Sequence, residues 1–293
     1  MISNSFFYLV IFLFGLAVGS FLNCIIYRLA LPNFVEQNLG GLALPNFSLE
    51  NLGGLEANKS FLKGRSYCPR CQHQLGWQDL IPLFSFLILK GKCRYCQQKI
   101  SLQYPLVELA TGLLFVFTTY NLQLTTHNSQ PLLNLGYQLF VVCCLLIIFV
   151  YDLKYYIIPD KIIYPAIVIA FLYNIYQFTI DNQQLTINNF LSAFGSAAFF
   201  LTLVLISHEK WLGWGDVKLA FLMGLFLGWP KILLALFLAF FIGAIIGIEL
   251  IILGKKTLKS EIPFGPFLVS GTFLALFFGQ KILDWYLNLF LPR

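Results

Sequence analysis

Runs of about 20 uncharged, apolar residues recur along this chain of 293 residues, and no other feature restricts its fold as strongly. A helix of that length crosses a bilayer core about 30 Å thick, since each residue advances it by about 1.5 Å. Eight such candidates stand at 6–27, 104–122, 133–151, 161–178, 190–206, 217–229, 231–253 and 265–288. The sixth is short and only Pro230 and Lys231 part it from the seventh, so it either crosses or re-enters. Only 11% of the residues are charged, against about 25% in soluble domains, which is too few to cover a soluble surface. The expected fold is therefore an all-α membrane protein: a polytopic bundle of about eight transmembrane helices with a small cytosolic zinc-knuckle insert. Residues 1–27 form the first helix, 28–103 a cytosolic four-cysteine zinc domain, and 104–293 the transmembrane core.

The stretch from Phe6 to Tyr27 has no Lys or Arg before it and is too long for a signal-peptide core, so it reads as a retained helix. It carries Gly15 and Gly19, either a small-xxx-small contact that lets two helices approach or a chance pair. Basic residues set the orientation. Arg28, Lys59, Lys63, Arg65, Arg70, Lys90, Lys92, Arg94 and Lys99 all fall between the first and second spans, which makes that segment cytosolic. Alternation then puts Lys154, Lys161, Lys210, Lys218, Lys255, Lys256 and Lys259 on the same side, with Lys231, Lys281 and Arg293 opposite and both termini outward. The net charge of +6 follows this topology and forms no basic stripe with interleaved aromatics, so no nucleic-acid partner is expected and lipid is. Within the segment, LALPNFVEQNLGG at 29–41 is followed by LALPNFSLENLGG at 42–54. The repeat is too short for a solenoid unit and reads as a tandem duplication in a tolerant loop or as paired amphipathic pieces.

Cys68, Cys71, Cys93 and Cys96 form two CxxC pairs at zinc-ribbon spacing. Each pair aims two thiolates at one ion, and four thiolates leave no place for water, so the zinc site is structural. Disulfides compete as a reading, but a cytosolic location disfavours them, and Arg70, Lys92 and Arg94 favour thiolates. Cys24, Cys143 and Cys144 lie in apolar runs as small hydrophobes.

Acids within or beside spans are costly and usually have a task. Four qualify: Asp152 ends the third span, Asp216 opens the sixth, Glu108 begins the second and Glu249 lies in the seventh. Topology puts Asp152 and Asp216 on one face. A paired carboxylate dyad can share a proton, one member activating water and the other donating to a carbonyl. Gly213 and Gly215 leave room for a substrate backbone beside Asp216.

In order along the chain, GLAVGSFLNCIIYRL at 15–29, the cysteine segment 66–112, DLKYYIIPD at 152–160, GWGDVKLA at 213–220 and PFGPFL at 263–268 resemble the prepilin peptidases, the bifunctional type IV leader peptidases and N-methyltransferases. The departure lies after Arg28, where the duplication replaces the family's usual proline. The resemblance implies an aspartic endopeptidase of the bacterial inner membrane. It removes the basic leader of type IV prepilins or type II secretion pseudopilins on the cytosolic side, then methylates the new amino terminus from S-adenosylmethionine. It maps the catalytic pair onto Asp152 and Asp216, gives supporting places to Glu108 and Lys218, leaves Asp160 to shape its loop, and links Gly91 to methyl transfer beside its other reading as a turn. No G-x-G-x-x-G fingerprint follows a strand, so methyl transfer rests on the resemblance. A basic leader stays cytosolic while the apolar helix behind it enters the bilayer, which sets the scissile bond near the aspartates. Asp79, Glu209 and Glu261 either attract that leader or are solvated loop charges. The competing readings are an ion- or proton-coupled transporter that uses the intramembrane acids, and a scaffold organised by zinc.

Overall fold

The computed structural model describes residues 2–39, 66–68, 70–71, 73–125, 131–180, 183–255 and 262–290. The second copy of the duplication and Glu261 lie outside them, and of the first copy the side chains of Leu29 and Ala30, both buried, and the backbone as far as Leu39 are described. Helices α1 (Ile2–Leu39), α2 (Phe84–Ile88), α3 (Gln103–Thr125), α4 (Pro131–Tyr155), α5 (Asp160–Ile180), α6 (Gln183–Ser207), α7 (Trp214–Leu227), α8 (Lys231–Ile252) and α9 (Gly265–Phe290) follow in chain order. Seven of them are long and apolar enough to cross a membrane. The sixth expected span, 217–229, is not among these. It is α7, whose 14 residues advance only about 21 Å, short of the hydrocarbon thickness.

The chain divides into two compact units, Met1–Phe117 and Thr118–Arg293. In the first, α1 crosses α3 at the small residues. A Cβ on Gly15 would lie 2.7 Å from Gly112 Cα, and one on Gly19 would lie 2.7 Å from Glu108 Cα, so the small-xxx-small pair marks a real close approach.

In the second unit, α6 and α7 run antiparallel, with Ser196 Oγ donating to the Ala220 carbonyl at 2.9 Å and Gly224 seated on the Ala193 backbone. Asn174 of α5 donates to the Leu225 carbonyl at 3.2 Å and accepts from Asn189 Nδ2 at 2.8 Å. Such intramembrane bonds contribute on the order of 0.6 kcal/mol each and leave no polar group to lipid. α8 and α9 are also antiparallel, Gly271 against the Ala235 carbonyl and Gly279 beside Lys231. Since Gly265 begins α9 beside Asp152, α7 carries the chain from the Asp152 end to the Lys231 end despite its length.

Burial explains how so short a helix persists. Asp216, Leu219, Ala220, Leu222, Met223, Gly224 and Leu225 are all buried against protein. Gly224→Leu forces a side chain into the Ala193 backbone and should destabilise the unit by about 1–3 kcal/mol, read as a lower melting temperature in detergent. Gly136→Leu meets nothing within 4 Å and should leave the melt unchanged.

Candidate active site

Asp152 lies in the last turn of α4, which ends because Tyr156 takes a left-handed conformation (φ 59°) and its N–H returns to the Asp152 carbonyl at 2.9 Å. The short link through Ile158 and Pro159 reverses the chain into α5, whose first turn is held by the Pro159 carbonyl accepting from Ile162 and Ile163. Ile158, buried by this reversal, packs where a Cβ on Gly215 would stand, 3.0 Å from its own Cβ. It also reaches Gly265, where a Cβ would collide with the Asp152 carboxylate. The Gly265 N–H faces that carboxylate.

Asp216 is the third residue of α7 and caps it. The Gly213 N–H donates to Asp216 Oδ2 at 3.1 Å, and the Asp216 N–H donates to the Gly213 carbonyl at 3.1 Å. Both carboxylates are buried, Asp152 at 5% and Asp216 at 8% exposure, and the Asp152 charge acts on Asp216. The amino ends of α7 and α9, where backbone N–H groups are unsatisfied and the dipole is positive, thus meet the carboxyl end of α4 around two acids.

Beside them Lys218 Nζ donates to Asp160 Oδ1 at 2.6 Å and lies 4.7 Å from the Tyr164 ring centroid. Asp160 is therefore the first residue of α5 and the partner of Lys218, an exposed pair of about 0–1 kcal/mol that ties α5 to α7. Glu209 accepts from Trp214 Nε1 at 2.6 Å, next to the Gly213–Asp216 turn. Glu249, by contrast, is exposed on α8 and joins no such group. Gly265 and Ile158 are the contributors that inspection for acids passes over. Their signals are the PFGPFL and YYIIPD stretches, which carry no titratable group at the positions concerned.

In the first unit, Glu108 accepts the Leu83 N–H at 2.8 Å and bonds Ser20, so it ties α1, α3 and the turn before α2 together. The four cysteines form two matching hairpins, each closed by one bridge, Tyr67 with Gln74 and Lys92 with Lys99. The Cys68 N–H donates to the His73 carbonyl at 3.0 Å and the Cys93 N–H to the Gln98 carbonyl at 2.8 Å, the same loop twice. All four Sγ atoms lie within 4.8 Å of one another, with Cys68 and Cys96 at 3.9 Å. A tetrahedral shell with metal–sulfur bonds of about 2.3 Å needs neighbouring sulfurs about 3.8 Å apart, so the cluster can hold a metal ion. Burial opposes thiolate at Cys68, but the Cys71 and Arg70 N–H groups outweigh it and bring the thiol down to about 7.

Gly91 closes the second hairpin, its carbonyl accepting from Ile100 at 2.7 Å, at φ 69° and with Phe86 3.0 Å from where a Cβ would stand. A left-handed residue in that space accounts for the glycine. Asp79 anchors the same hairpin through Arg94 Nε at 2.8 Å and Tyr95 Oη at 3.1 Å. Burial raises the Asp79 carboxyl, yet the Arg94, Gly76 and Tyr95 hydrogen bonds together hold it below the usual range. Asp79 is thus committed within its own domain.

Comparison with known proteins agrees with this geometry. Residues 13–122 match the Bacterial Peptidase A24 N-terminal domain, and residues 139–248, which contain both aspartates, match the Type IV leader peptidase family. A prepilin leader peptidase/N-methyltransferase of Aeromonas salmonicida (strain A449) is 32% identical over 95% of this chain and 93% of its own length. Proteins of the same name from Legionella pneumophila and Pseudomonas aeruginosa are each 31% identical, over 97% and 96% of this chain and 95% and 94% of theirs. No solved structure matches. The chain belongs to the type IV leader peptidase family, among the prepilin leader peptidase/N-methyltransferases.

Proposed function

We propose that this chain cleaves the basic leader from type IV prepilins or type II secretion pseudopilins with Asp152 and Asp216, and then N-methylates the exposed amino terminus. The observation that carries the reading is the convergence of two buried carboxylates from α4 and α7 at one end of the bundle. The dyad holds one proton between its members. The ionised carboxylate takes a proton from water as the water attacks the scissile carbonyl, and the protonated one donates to the carbonyl oxygen. The two titrate as a unit, so neither is assigned a permanent role. Gly213 leaves space beside Asp216 through which a substrate backbone can approach, whereas the room at Gly215 is taken by Ile158 and that at Gly265 by the Asp152 carboxylate.

Sixteen of the nineteen basic residues support a bacterial inner-membrane orientation with this end cytosolic, where a basic leader remains. The ion read for the four-cysteine cluster is a structural zinc, which the sulfur spacing and a reducing cytosol support. S-adenosylmethionine supplies the methyl group in the second reaction, a reading that the double name of the relatives supports.

Asp152→Asn and Asp216→Asn should each abolish leader cleavage of a co-expressed prepilin while leaving insertion intact, because an amide still accepts the Gly213 N–H. A gel shift reads cleavage, and a mass spectrum of the mature amino terminus reads cleavage position and methylation together. Full cleavage by Asp216→Asn would overturn the dyad. Gly265→Ala should depress cleavage strongly without lowering expression, since its methyl displaces the Asp152 carboxylate. Purified protein should carry about one zinc per chain, and Cys93→Ser should lower that occupancy in elemental analysis.

A further inference from the structure

A groove of about 620 Å³ runs between α6 and α8 on the second unit, apart from the aspartates. Its walls are large apolar side chains that stand exposed, Leu191 at 67% on α6 and Phe237 at 65% on α8. Its floor on α6 is small: Ser192, Gly195 and Ser196, at the spacing that lets a second helix approach closely. The serines need nothing from an occupant. Ser192 Oγ donates to the Asn188 carbonyl at 2.6 Å and Ser196 Oγ to the Ala220 carbonyl at 2.9 Å, so an apolar cover strands no polar group.

The groove begins at Trp229, just past the end of α7, and α6 and α8 both run from there toward the end that holds the aspartates. Its far rim is Phe240, whose ring centroid lies 4.9 Å from that of Phe264. Phe264 immediately precedes Gly265, the residue whose N–H faces Asp152. The apolar groove is thus continuous with the site through two rings in tilted contact.

We propose that this groove seats the apolar helix of the peptide substrate, holding it antiparallel to α6 and α8 so that the extended segment before it passes over Phe264 to the dyad. The inference rests on the peptidase reading above. It follows from a constraint that lipid imposes: any part of a substrate that remains in the bilayer while its scissile bond is at the aspartates must be helical and apolar, because only a helix satisfies its own backbone there. Small residues beneath and large ones at the sides give such a helix the packing contacts that drive association in membranes, where no hydrophobic force between helices is available.

Gly195 provides the test. A Cβ there meets nothing within 4 Å, so Gly195→Leu fills the groove without disturbing the bundle, and leucine also favours helix over glycine. Gly247→Leu, on α8 outside the groove and equally free of neighbours, is the control. In liposomes with a full-length type IV prepilin as substrate, Gly195→Leu should lower kcat/KM by at least about tenfold, with Gly247→Leu at the wild-type value. A photo-crosslinking residue in place of Phe237 should capture the prepilin, and one at Phe194, exposed on α6 outside the groove, should not. Wild-type turnover by Gly195→Leu, or capture at Phe237 of lipid alone or of a second copy of this chain, would overturn the docking proposal and leave the peptidase reading standing. Failure of the wild-type protein to cleave prepilin would instead remove the peptidase reading.

Discussion

Two missing side chains let the amino ends of two helices close on one isoleucine, and the arrangement of the second unit depends on that contact. Ile158 fills the space beside Gly215 of α7 and reaches Gly265 of α9. With larger residues at those glycines the two helix ends would stand off, and the carboxylates of Asp152 and Asp216 would separate with them. The contact also explains why the link from α4 to α5 is so short. Tyr156 in a left-handed conformation and Pro159 before α5 turn the chain sharply, which drives Ile158 inward and leaves Asp152 at the edge of the same pocket.

Charge in this unit is placed by backbone dipoles more than by ion pairs. The ion pair near the site, Lys218 with Asp160, is exposed and weak, and it steadies α5 against α7. The aspartates instead face helix amino ends, where N–H groups are fixed before any substrate arrives. Asp216 has a structural task of its own, since its carboxylate caps α7.

Local spacing alone made the cysteine module legible. Two CxxC pairs dictate two tight loops, and the loops found are near copies, down to the carbonyl that each first cysteine addresses. At Gly15 and Gly19 the same logic offered a close contact beside a chance pair, and the structure decides for the contact, with α3 as the partner. Helix spacing shows which residues share a face, and small residues on that face show where a neighbour can come near. Hydropathy was less informative for α7, because an apolar run reads alike whether lipid or protein surrounds it. Its 14 residues are held by α5, α6 and α9, so its length answers to the bundle and not to the bilayer.

From sequence alone came the membrane class, the positions of the seven long helices, the four clustered cysteines and the two acids, because each depends on residue type and short-range spacing. Tertiary structure decided what depends on contacts across long stretches of chain: that Gly265 and Ile158 complete the site, that Glu249 stays out of it, and that Asp160 answers Lys218. Sixty-four positions part Asp152 from Asp216 in sequence. Only the packing of α4, α7 and α9 around a buried isoleucine turns that separation into a pair.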